Sequence, residues 1–178
     1  MASAFSHAIA SVALGSTFRT SPCPAKFWLL GILCAVLPDA DVVGFAFGIP
    51  YEHVLGHRGL SHSLVFAAVL ATTVVTLAFR SERFTASRMK LWWYFFVATV
   101  SHGVLDAMTT GGLGVAFLAP FNDSRFFFPF RPILVSPIGV GRFFSEWGLA
   151  VIRSEVLWIW LPSAVLVGAM LFFHRRRA

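Results

Sequence analysis

The sequence predicts an all-α integral membrane protein, a bundle of about five helices in one membrane-embedded domain covering residues 1–178. Three observations lead there. The chain is 57% hydrophobic and 12% charged, where soluble domains carry roughly 25% charged residues. Its mean hydropathy is +0.77. Its apolar runs approach spanning length, and Lys and Arg gather at their ends. A net charge of +6 placed in that way fits membrane orientation better than binding to nucleic acid.

Residues 3–18 form a moderately apolar run without proline. As a helix it would reach about 24 Å, short of the ~30 Å hydrocarbon core, so it is a marginal span or a half-embedded helix. No basic residue precedes Arg19, so the positive n-region of a secretory signal is missing and the N-terminus reads as part of the mature protein. Residues 19–26, with Pro22 and Pro24, form a connector. Residues 27–47 have spanning length but contain Asp39 and Asp41. A charge at the bilayer centre costs about 2.5–3.5 kcal/mol on insertion scales, and two adjacent carboxylates repel unless protonated or bound to a cation. Capping of a new helix after Pro38 would account for one acid but not two.

Residues 48–60 form a glycine-containing loop, and 61–80 the clearest transmembrane helix, with Ser61 as its expected N-cap. Residues 80–90 hold four basic residues and one acid. A further span, 91–109, is interrupted late by Ser101-His102-Gly103-Val104-Leu105-Asp106. Residues 110–155 are irregular. Within them the cluster Phe126 to Pro132 suits a membrane interface, or equally a packed loop. The last span, 156–173, is closed by His174 and three arginines. Two cysteines, Cys23 and Cys34, give neither a disulfide nor a CxxC metal site.

The positive-inside rule puts 80–90, the connector and the C-terminus in the cytoplasm, with nine basic residues inside. Arg58, Arg125, Arg131, Arg142 and Arg153 fall outside. Depth then follows from about 1.5 Å per helical residue. From the cytoplasmic edge His7 and His102 lie about 18 Å up, Asp39 about 20 Å, Asp106 about 24 Å and His62 about 27 Å, with His57 just above. Separate helices thus bring their polar residues to one layer in the outer half of the bilayer.

Histidine is the commonest protein ligand for transition metals, and His102 and Asp106, spaced i, i+4, share a helix face. Imidazoles and carboxylates without thiolates suit Zn²⁺ first, with Mn²⁺ or Fe²⁺ as alternatives. The candidate ligands are His7, Asp39, His57, His62, His102 and Asp106. Together with Asp41 they exceed what one tetrahedral ion needs, so one or two Zn²⁺ ions are expected. Asp41 is the candidate to orient an attacking water, and Arg58 either pairs with a substrate phosphate or anchors the interface. Gly59 lets the backbone approach closely or simply turns the loop. Glu146 is a possible further ligand on the outer side, Glu52 and His53 are expected to be exposed, and His174 interfacial.

His7, the Leu37-Pro38-Asp39-Ala40-Asp41 stretch, the His57 to His62 motif and the Ser101 to Asp106 motif together resemble the YdjM-type (LexA-regulated) inner-membrane metal-dependent hydrolases. That family is distantly similar to the all-helical zinc-dependent phospholipase C and P1 nuclease group. The resemblance covers the chain from His7 to about Phe130. It implies a helical metallohydrolase core of phospholipase C type, with His7, Asp39, His57, His62, His102 and Asp106 as ligands.

The expected function is therefore hydrolysis of a phosphoester bond in a lipid or lipid-linked substrate by a metal-activated water. The site would face the outer side of a bacterial or archaeal inner membrane, with membrane lipids as partners and no nucleic acid. One alternative is a proton- or metal-conducting transporter, since intramembrane His and Asp also mark ion paths. That needs polar groups in the inner half, where Thr72, Thr73, Thr76 and Thr99 are the only candidates. A non-catalytic membrane protein with a structural metal is the other.

Overall fold

The computed structural model describes residues 1–18 and 23–176, with Val140 described by its backbone alone. Residues 19–22 of the expected connector, Arg19 and Pro22 among them, and residues 177–178 lie outside the described residues. The architecture is all-helical. Helices α1 (Ala4–Phe18) and α2 (Ala25–Val36) lead into a 3-10 segment, Leu37–Phe47, then a looped stretch and a 3-10 turn, Leu60–His62. Helices α3 (Leu64–Ala78) and α4 (Arg88–Ala107) follow, and a short α5 (Val140–Phe143) precedes α6 (Glu146–Glu155). A π-helical turn, Val156–Trp160, joins α6 to α7 (Leu161–Arg175). Among the described residues, β-type pairing is limited to two isolated bridges, Thr109 with Ile133 and Val115 with Phe126.

Helix α4 is the central post, packed on α1, α2 and α3. Its end near Arg88 sits in an aromatic core of Phe27, Phe79, Phe84, Tyr94 and Phe95. Phe27 and Tyr94 stack with centroids 4.3 Å apart. Gly31 makes this possible, because a Cβ there would strike the Tyr94 ring. The aromatic core thus fills one end of the bundle, and α4 carries His102 and Asp106 at the other.

Two helical stretches are long and apolar enough to cross a membrane, Ala25–Phe47 and Glu146–Arg175. Helix α7 has no buried residue at all. In water that apolar helix would be strongly unfavourable, and lipid is its natural surrounding. Helices α1 and α3, at 15 residues each, are about 22 Å long and shorter than a full span.

Two local expectations change. The N-cap of α3 is Ser63, whose side chain accepts from the Phe66 amide at 3.0 Å. Ser61 instead donates to Asp41 at 2.5 Å, because the 3-10 turn Leu60–His62 intervenes before the helix. The last helix also begins ten residues earlier than the apolar run, at Glu146, capped by Ser145. Its charged residues broke the hydropathy pattern, and the structure accommodates one of them, Glu155, in a fully buried position.

Candidate metal centre

The polar residues at the Asp106 end of α4 are placed by three local devices. Pro38 starts the 3-10 segment after α2, and neither Asp39 nor Asp41 caps it, so both carboxylates are free for tertiary partners. The loop before α3 is tightly wound. Leu60 N–H donates to Val54 O at 2.7 Å, and a Cβ on Gly59 would strike the Val54 carbonyl. Arg125 clamps the same loop from outside, its Nη1 donating to His57 O and its Nη2 to Tyr51 O, both at 2.9 Å. On α4, one turn separates His102 from Asp106, which therefore share a face.

Four ligand-type side chains converge: Asp39, His62, His102 and Asp106, all buried. The Nε2 atoms of His62 and His102 are 2.9 Å apart. Asp39 Oδ1 lies 3.3 Å from His102 Nε2 and 3.9 Å from His62 Nε2, and Asp106 Oδ2 lies 4.0 and 3.7 Å from the same two atoms.

The tautomers follow from the other ring nitrogens. His102 Nδ1 faces the Ala35 carbonyl at 2.7 Å, which only accepts, so Nδ1 carries the proton. His62 Nδ1 lies 2.9 Å from Ser61 Oγ and 3.2 Å from Asp41 Oδ2. The Ser61 proton is donated to Asp41, so His62 Nδ1 is again a donor. In the neutral rings both Nε2 lone pairs are bare and point at each other, flanked by two carboxylates. Two lone pairs at 2.9 Å repel unless a proton is shared between them or a metal ion lies beside them. Both oxygens of Asp39 and Oδ2 of Asp106 are also buried without a hydrogen-bond partner among the described residues. This donor set fits a divalent metal ion, and the Asp41 carboxylate behind His62 and the Ala35 carbonyl behind His102 are the usual support of a metal-binding imidazole.

The remaining predicted residues surround this group. His57 donates from Nδ1 to Asp41 Oδ1 at 2.6 Å, so Asp41 holds His57, His62 and Ser61 together in a second cluster. His7 is fully buried and stacks on His102 with centroids 3.7 Å apart. Its Nε2 is 3.5 Å from Asp106 Oδ1, and neither of its ring nitrogens has a hydrogen-bond partner among the described residues. Arg58 is fully buried in a left-handed backbone conformation (φ 63°). Its Nε pairs with Asp106 at 3.0 Å, and its Nη1 and Nη2 donate to Gly111 O and Thr109 Oγ1 at 2.9 Å. A Cβ on Gly112 would come 2.7 Å from Arg58 Nη1 and 2.8 Å from the Tyr51 hydroxyl, so this corner requires glycine. Burial raises the Tyr51 pKa and keeps the phenol neutral. Glu146, at the start of α6, is exposed, as are Glu52 and His53.

Several contributors carry no motif. Ala2 N–H donates to Asp106 Oδ1 at 2.7 Å. Glu155 accepts from Ser3 N–H at 2.5 Å and from the hydroxyls of Ser3 and Ser6 at 2.5 and 2.7 Å. Trp160 Nε1 donates to Ser6 Oγ at 2.8 Å. The available signal was Glu155 itself, an acid beside an apolar span, matched by serines three residues apart next to His7.

Fold and site together define a helical membrane protein with a buried histidine–aspartate pocket able to hold a metal ion. The family model of the YdjM inner membrane protein matches residues 1–177, and the chain belongs to that family. It is also 41% identical to the inner membrane protein YbcI of Escherichia coli (strain K12) over 176 residues, which cover 99% of this chain and all of that protein. No solved structure matches the chain.

Proposed function

We propose that this protein is a membrane-bound metal-dependent hydrolase that cleaves a phosphoester bond in a lipid or lipid-linked substrate, with water as the nucleophile. The observation that carries the reading is the convergence of His62 Nε2 and His102 Nε2, 2.9 Å apart, with the buried carboxylates of Asp39 and Asp106. Zn²⁺ suits this donor set best, and Asp41, His57 and His62 form a second ligand-type group for a further ion. When bound, the metal supplies Lewis acidity toward a phosphoryl oxygen and lowers the pKa of water. Asp41 acts through His57 and His62, whose rings it orients, and Arg58 acts through Asp106, whose charge it balances. Both are positioning residues in this reading.

A lipid substrate is favoured by the cavity of about 280 Å³ lined by Phe117, Phe126, Phe127 and Phe128, which meets the end of α4 at Ala107. Its aromatic wall suits the outer membrane interface. The site faces the outer side in the orientation given by the basic residues, with the C-terminus cytoplasmic. A conducting role is disfavoured by the threonines of the other half. Thr72, Thr73, Thr76 and Thr99 each donate to the carbonyl four residues back on their own helix, so the proton of each hydroxyl is used locally.

The test is elemental analysis of detergent-purified protein beside His62→Ala and His102→Ala, followed by phosphodiesterase assays on lipid substrates. About one or two equivalents of zinc, lost in both variants together with lipid phosphodiesterase activity, is the expected result. Full metal occupancy without turnover of any phosphoester would leave a structural metal, and absence of metal after zinc supply would end the metallohydrolase reading.

A further inference from the structure

On the face of α1 that meets α2 and α7, a hollow of about 720 Å³ runs along the bundle. Its walls include Ala8 and Val12 of α1, Ile32 of α2, and Val167, Gly168 and Leu171 of α7. From Trp160 to Leu171 it follows α7 for about 16 Å. Small residues keep it open, and a Cβ added to Gly168 would meet nothing within 4 Å. The hollow lies between the two stretches able to cross a membrane, so the medium at its mouth is hydrocarbon. Apolar walls of this kind hold water poorly, and an empty hollow forfeits dispersion contacts along its whole lining. One turn beyond Leu171 on the same face of α7 stands Arg175, with Arg176 next to it, its guanidinium 4.3 Å above the Phe172 ring.

We propose that this hollow seats the acyl chain of an anionic phospholipid, with the lipid phosphate held at its end by Arg175. The hollow supplies shape and apolar contact, and the arginine supplies charge complementarity at the depth where a headgroup sits. The site is separate from the histidine–aspartate pocket and independent of the hydrolase reading. Trp160, which lines one end, is a built-in reporter.

The test uses the full-length protein in vesicles of phosphatidylcholine containing increasing fractions of phosphatidylglycerol with brominated acyl chains. The Trp160 contribution to fluorescence is taken as the difference from Trp160→Phe. Bromolipid should quench that contribution at a mole fraction about fivefold lower when it is phosphatidylglycerol than when it is brominated phosphatidylcholine. Arg175→Gln should abolish the preference between headgroups while leaving quenching itself in place. Gly168→Phe fills open space, so it should preserve helical content by circular dichroism and remove Trp160 quenching by both lipids. Equal quenching in wild type and Gly168→Phe would overturn the proposal. So would a Trp160 shielded from both lipids in a protein that cross-links as a dimer, because a second copy would then be the occupant.

Discussion

Arg58 Nε lies 3.0 Å from Asp106 Oδ2, with both side chains fully buried. Asp106 sits in the last turn of α4, where the helix dipole disfavours a carboxylate, so the guanidinium compensates two unfavourable terms at once. Breaking a buried pair by removing one partner typically costs about 3–5 kcal/mol. Arg58→Ala should therefore lower the thermal unfolding midpoint markedly in detergent. Arg58→Lys should rescue only part of the loss, since it cannot reproduce the donations to Thr109 and Gly111. An unchanged midpoint in Arg58→Ala would contradict the role assigned to the pair.

A metal ion held by the facing Nε2 atoms of His62 and His102 would be retained in a pH-dependent way. Protons compete for the same lone pairs, so bound metal should be held at neutral pH and released on acidification. Dialysis of metal-loaded protein across a pH series, read by elemental analysis, checks this. Retention that is independent of pH would mean that imidazoles do not hold the ion.

Asp41 accepts from both His57 and His62, so Asp41→Asn loses one of the two contacts while keeping its size. Removing a carboxylate behind a metal-binding histidine typically lowers affinity by about 10–100-fold. Competition with a zinc chelator should read that loss. Ser63→Ala serves as the contrast: losing the N-cap costs about 1 kcal/mol of stability and should leave zinc affinity unchanged.

Glu155 ties the C-terminal helices to the N-terminal segment that carries His7. Glu155→Ala leaves three donors of Ser3 and Ser6 buried without their acceptor, at about 1–3 kcal/mol for each unsatisfied group. The segment before α1 should become sensitive to protease in the variant, while α3 and α4 remain protected. Equal protection of the N-terminus in both proteins would show that the carboxylate is dispensable.

Much of this architecture was legible because hydropathy and helical rise act locally. The apolar runs announce helices, the spacing of His102 and Asp106 puts them on one face, and the histidines and aspartates that stand out against apolar sequence include the four that converge, Asp39, His62, His102 and Asp106. The membrane family was legible for the same reason, through short motifs that stand out against apolar sequence.

What the sequence by itself determined is the helical class, the membrane setting and the chemical kind of the buried residues, because these depend on composition and on contacts within a turn or two. Only the tertiary structure decided how they divide. Which nitrogen of His62 faces His102 depends on Asp41, twenty-one residues earlier, and on Ser61, released from capping because a 3-10 turn puts Ser63 at the helix start. Arg58 turns inward to Asp106 because its left-handed backbone and the space left by Gly112 direct it there. Glu155 finds its serines across 149 and 152 positions of chain. Such pairings are set by packing between distant segments, and no periodicity along the chain encodes them.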